Sequence, residues 1–134
     1  MRYSHPRVYQ RLADAADRLG DERYRDGRMG IWYARAEVHR DFYGGLAAAQ
    51  KQGYSITRET LGKTHVHLGN IEADDEETAF ALMQGDYWSP AGAANQWLRS
   101  IGLDHTSMFV GDVIDINGQL LFVEVEGFSM LPIK

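Results

Sequence analysis

Val110-Gly111-Asp112-Val113-Ile114-Asp115-Ile116-Asn117-Gly118-Gln119-Leu120-Leu121-Phe122-Val123-Glu124-Val125 decides the fold. Two runs rich in β-branched and aromatic residues flank Asn117-Gly118. Asn-Gly between such runs predicts a type I′ hairpin turn, because both central positions need positive φ. That turn pairs Ile116 with Gln119 and Ile114 with Leu121. One face then carries Ile114, Ile116, Leu121, Val123 and Val125. The other carries Asp115, Glu124 and Glu126 with Leu120 and Phe122 among them, and reads as mixed and partly wet.

Outward from the hairpin, the preceding elements alternate in period. Ile31–Val38 reads as a strand. Asp41 opens a helix through Phe42, Leu46, Ala47 and Ala49 that stops at Gly53. Residues 54–63 fit neither period. Thr64–Ile71 alternates with period two, placing Val66 and Leu68 on one side and His65 and His67 on the other. The carboxylates of Ala73-Asp74-Asp75-Glu76-Glu77 suit a helix N-terminus, and that helix ends at Gly85. Ser89-Pro90 suggests the start of another, ended by Gly102. Val8, Leu12, Ala15, Ala16 and Leu19 form one face of an N-terminal helix. These elements predict an α+β fold: a mostly antiparallel sheet of about four strands, with three to four helices packed on one face and a C-terminal β-hairpin. The expected division is residues 1–28, a helix and charged connector, and residues 29–134, a single compact domain.

The chain has 134 residues, 44% of them apolar and 25% charged. That is the composition of one ordinary folded domain. It has no cysteine, which removes disulfides, thiolate metal sites and a cysteine nucleophile. No apolar run approaches the roughly 20 residues of a membrane-spanning helix. No secretory leader is visible, so a cytoplasmic location is expected. The net charge of −5 is uneven. Residues 1–40 hold nine Arg against six acidic residues, and residues 41–134 hold five basic against thirteen acidic.

Several constellations could carry chemistry. His65 and His67, two apart on a strand, face the same way and could share a metal. Zinc needs at least a third protein ligand, for which His105, Asp104 and His39 are available. Asp104-His105-Thr106-Ser107 combines an acid, an imidazole and two hydroxyls at a helix-to-strand junction. It lacks the glycines of a nucleophile elbow, and turn chemistry explains such residues too. The acidic run formed by Glu72, Asp74, Asp75, Glu76 and Glu77 could meet a basic partner. Arg7, Arg11 and Arg18 lie along one helix flank and could follow a phosphate backbone. Asp14, Asp17, Asp21 and Glu22 are interleaved with them. Tyr87 and Trp88 sit between helices, where Trp88 is expected to be exposed and to anchor an interface. No phosphate-binding glycine motif occurs, and no cofactor is expected.

The segment Asp104-His105-Thr106-Ser107-Met108-Phe109-Val110-Gly111-Asp112-Val113 resembles the His-Thr-Ser-Met-Ser-Val-Gly-Asp-Val segment of small uncharacterised proteins on phages and plasmids. Thr64-His65-Val66-His67-Leu68-Gly69 and Met83-Gln84-Gly85-Asp86-Tyr87-Trp88-Ser89-Pro90 resemble the same proteins. The resemblance covers about residues 64–128 and departs at Phe109, where a serine is common. It implies an accessory gene of a mobile element, a setting that includes anti-CRISPR and anti-restriction inhibitors.

The first expectation is therefore a non-enzymatic accessory protein that binds a host protein with a basic surface. Its contacts would be Glu72, Asp74, Asp75, Glu76, Glu77 and Trp88. The alternatives are a small metal-dependent hydrolase using His65, His67 and His105, and a nucleic-acid-binding factor using the N-terminal arginines.

Overall fold

The structure is a computed structural model that describes residues 16–17 and 28–132. The N-terminal helix expected from about Pro6 to Gly20 therefore falls almost wholly outside the described residues, and Arg7, Arg11 and Arg18 fall wholly outside them. Ala16, in a helical turn, is fully buried in the main core.

Chain order begins with β1 (Met29–Ala34), α1 (Ala36–His39), a 3₁₀ turn (Arg40–Phe42), α2 (Leu46–Lys51) and α3 (Leu61–Thr64). It continues with β2 (His65–Ile71), α4 (Glu76–Leu82), a 3₁₀ turn (Asp86–Trp88) and α5 (Ala94–Ser100). It closes with β3 (Val113–Ile116), β4 (Gln119–Val123) and β5 (Phe128–Met130). The five strands form one sheet in the order β2-β1-β3-β4-β5. Every neighbouring pair is antiparallel. The α+β class and the antiparallel sheet are as the sequence predicts, with a fifth strand added.

The hairpin register matches the expectation: Ile114 pairs with Leu121 and Ile116 with Gln119. Asn117 and Gly118 adopt φ of 51° and 93°. Asp115 Oδ1 accepts the Gly118 N–H at 2.9 Å, closing the turn.

The expectation of helices on one face is corrected. Alternate residues of β1 enter two separate cores. Met29, Ile31 and Tyr33 join Leu82, Leu98, Ile114 and Val123 in one. Ala34, with Trp32 packed against it, joins Phe42, Ala49, Leu61, Val113, Leu120 and Phe122 in the other. The hairpin face read as partly wet is therefore roofed by the segment running from Phe42 to Leu61. Those residues alternate between short helices and turns, so no long periodic run announces the second layer.

Element bounds also shift. β1 ends at Ala34, and Ala36–His39 turns helical. Val125 lies beyond β4 and is 73% exposed, because Glu124–Gly127 forms a turn whose Glu124 N–H donates to the Gly127 carbonyl at 3.0 Å. The helix expected from Pro90 starts at Ala94, after a turn closed from Gly92 N to Ser89 O at 2.8 Å. α4 starts as expected, with Asp75 accepting the Thr78 N–H at 2.8 Å as its N-cap.

Candidate functional site

The segment between α5 and β3 is built by local rules. α5 ends in a Schellman motif: Leu103 N–H donates to Leu98 O at 3.1 Å and Gly102 N–H to Arg99 O at 3.2 Å. Gly102 supplies the required positive φ of 89°. The Gly102 carbonyl in turn accepts the Ala36 N–H at 3.2 Å. That contact sets α1, and so His39, beside Asp104 and His105.

Three histidines grip the next three residues in succession. His39 Nε2 donates to the Val110 carbonyl at 3.2 Å, and His65 Nε2 to the Gly111 carbonyl at 2.7 Å. His105 Nε2 lies 2.9 and 2.8 Å from the two carboxylate oxygens of Asp112. Asp112 has no exposed surface. Its carboxylate also accepts the Ala34 N–H at 2.8 Å and the Phe109 N–H at 2.9 Å. Gly111 is required here: φ is +99°, and an added Cβ would lie 2.6 Å from Phe42 Cβ.

A carbonyl can only accept, so His39 carries its hydrogen on Nε2 and presents a lone pair at Nδ1. That Nδ1 is buried, has no hydrogen-bond partner, and faces Asp104 Oδ1 at 3.4 Å. His105 Nδ1 faces the same oxygen at 3.2 Å. The two imidazoles stack with centroids 3.8 Å apart, and Tyr33 stacks on the far side of His105 at 4.6 Å. Burial, reinforced by the charge on His105, lowers the pKa of His39. For His105, burial pushes downward, but Asp112 and then Asp104 outweigh it, and the pKa is raised. The two stacked rings are therefore shifted in opposite directions.

These side chains form one wall of a cleft of about 270 Å³. The remainder is lined by Tyr43, Pro90, Asn95, Arg99, Thr106, Ser107 and Phe109. Among the described residues, His39, Asp104 and His105 are the group whose donor atoms all lie within 4.8 Å of one another.

The other candidates separate. His65 and His67 share a face, as predicted, and pair across the ladder with Ala34 and Trp32. Their ring nitrogens are engaged elsewhere. His65 is buried, with Nδ1 on the Thr64 hydroxyl at 2.7 Å and Nε2 on Gly111. His67 is exposed, stacks on Trp32 at 4.5 Å and reaches Asn70 Oδ1 at 2.9 Å. His105 stacks on Tyr33, whose side chain leaves β1 on the opposite side. The set His65, His67 and His105 therefore gives way to His39, Asp104 and His105. The Ser107 hydroxyl donates to Trp88 O at 2.8 Å and the Thr106 carbonyl accepts the Tyr33 hydroxyl at 2.7 Å. Neither serves as a partner of His105.

Trp88 is corrected outright. It is fully buried in the main core, against Tyr87 and Trp97, because the 3₁₀ turn carrying it rotates the indole inward. It offers no surface contact. Glu72, Asp74 and Glu77 are exposed, whereas Asp75 and Glu76 are half-buried at the start of α4.

No family model matches the chain, and no curated protein or solved structure shows significant similarity to it.

Proposed function

We propose that the chain is a small metal-dependent hydrolase whose cation is held by His39 Nδ1, His105 Nδ1 and an Asp104 oxygen. The observation that carries this reading is the buried Nδ1 of His39, a lone pair with no hydrogen-bond partner, aimed at Asp104. Beyond the three Nε2 contacts, the Nδ1 atoms of His39 and His105 both turn to the same Asp104 oxygen.

The donor set suits the chemistry. Two imidazoles and one carboxylate are a catalytic zinc set, which leaves a coordination position open. Bonds of about 2.0–2.1 Å place tetrahedral donors roughly 3.3 Å apart. The two Asp104 edges, 3.2 and 3.4 Å, match that spacing. The outer groups are in place as well: Val110 O fixes His39 and Asp112 fixes His105, each through Nε2. Because the rings stack, capture of a shared ion requires them to tilt toward each other. Asp104 is half-exposed at the cleft, so an ion can enter there. The cation would supply an acidic water as nucleophile.

Titration with cobalt(II) tests this. The expected result is a visible absorption band typical of nitrogen and oxygen ligation at one equivalent, lost in His39→Gln and Asp104→Asn while near-ultraviolet dichroism shows both variants folded. No band with wild-type protein, or an unchanged band in both variants, overturns it.

A second reading is supported by the exposed carboxylates Glu72, Asp74 and Glu77 and by the resemblance to mobile-element proteins. It is a cytoplasmic accessory protein that occupies a basic surface of a host protein, the acidic residues making the contact. Reversing the charge at these three positions should abolish capture of a stoichiometric host partner. Capture that survives removes them from the interface.

A further inference from the structure

The cleft walls bear on what the site would receive, an inference that rests on the metal-site reading. Arg99, in the last turn of α5, donates from Nε to Asn95 Oδ1 at 2.8 Å. That contact fixes the plane of the guanidinium, and both residues line the cleft. Among the described residues the terminal nitrogens have no other partner, so the fork is available to an oxyanion. Among the described residues, Asp104 is the one carboxylate that lines the cleft. Once it ligates a divalent ion, the ion and Arg99 leave the cleft with net positive charge, and a neutral or cationic ligand is disfavoured.

The mouth has a second character. Tyr43 and Phe109 are each 47% exposed, line the cleft, and meet edge to face with centroids 5.5 Å apart. Both also touch the His39 ring edge to face. Two large rings displayed beside a charged site are a stacking platform for a flat organic group. The cleft volume lies just below the usual range of ligand pockets, enough for one ring and one anionic group.

We infer that the cleft binds a small phosphate monoester with a planar ring, its phosphoryl oxygens shared between the cation and Arg99 and its ring against Tyr43 and Phe109. A phosphoryl group has three terminal oxygens, so it can meet the ion and the arginine fork at once. A carboxylate must divide two oxygens between them.

Calorimetry on zinc-loaded protein tests this with phenylphosphonate, a non-hydrolysable mimic, against inorganic phosphate and benzoate. Phenylphosphonate should bind at least tenfold more tightly than either. Arg99→Ala should weaken it at least tenfold with the zinc affinity unchanged. The double change Tyr43→Ala with Phe109→Ala should reduce its affinity to that of inorganic phosphate. Benzoate binding as tightly as phenylphosphonate, or Arg99→Ala without effect, overturns the inference. Zinc uptake with no phenylphosphonate binding overturns it and leaves the metal site standing. Failure of wild-type protein to take up zinc overturns both.

Discussion

His105 and Asp112, seven residues apart, meet through both carboxylate oxygens at 2.9 and 2.8 Å inside the protein. The same carboxylate terminates β1 by accepting the Ala34 N–H, and it closes the Phe109 turn. Asp112 thus joins the candidate site to the sheet. Asp112→Ala leaves His105 Nε2 and two backbone N–H groups without their acceptor. Removing one partner of a buried pair costs about 3–5 kcal/mol, so the urea midpoint should fall steeply. Asp112→Asn should recover only part of this, since an amide NH₂ must then face at least one donor. A loss for the alanine variant below about 0.5 kcal/mol, the scatter of ordinary surface changes, would remove Asp112 from this role.

His65 predicts an acid-sensitive fold. Burial lowers its pKa from the ordinary 6.5 to about 4. The unfolded chain takes up this proton first as pH falls. The contribution of His65 to stability is therefore complete above about pH 6.5 and is lost between about pH 6.5 and 4. It amounts to roughly 3 kcal/mol at most. His39, lowered in the same direction, adds to the loss. His105 is shifted up, so its contribution is complete below pH 6.5 and fades as pH rises through its raised value. Chemical denaturation from pH 4 to 8 should show the acid loss, and His65→Gln should flatten it. An unchanged acid slope in that variant would show that His65 does not stay neutral in the fold.

Gly111 and Gly127 offer a controlled comparison. Both have positive φ, 99° and 76°. A Cβ on Gly127 meets nothing within 4 Å, whereas one on Gly111 collides with Phe42. Gly127→Ala should cost about 1 kcal/mol, the penalty for a left-handed conformation. Gly111→Ala should cost that plus the 1–3 kcal/mol typical of overpacking. Equal losses in thermal unfolding would mean that Phe42 gives way freely.

Much of this fold was legible because the hairpin signal is local. Asn117-Gly118 fixes the turn, the turn fixes the register, and Gly102 and Asp75 mark helix ends by backbone chemistry that neighbours determine. The second helical layer was not legible, since Phe42, Ala49 and Leu61 lie in short elements without a sustained period. The site was half legible. Asp104 and His105 stand out as adjacent polar residues, and His39 could be named only as an available ligand. Its approach depends on the contact from Ala36 N to Gly102 O, 66 positions along the chain, for which no periodicity exists. The burial of Trp88 is not legible either, because exposure of a connection does not fix where an indole inside it turns.

Glu124 supplies the last test. On the expected hairpin face it would be a solvated acid. In the structure its Oε1 accepts the Leu46 N–H at 3.0 Å, and its Oε2 accepts the Ser129 hydroxyl at 2.6 Å. α2 begins after Gly45, which has no side chain to serve as a cap. Glu124 therefore caps that helix from across the sheet, and its charge faces the positive end of the helix dipole. It also ties β5 to the end of β4. Glu124→Ala should cost about 1–2 kcal/mol, the range of a lost cap. Glu124→Gln should cost less, since one amide oxygen can still accept from Leu46. Hydrogen exchange should accelerate at Ala49, whose N–H bonds to Gly45 O in the first turn of α2. Exchange there that is unchanged in Glu124→Ala would show that α2 holds without this carboxylate.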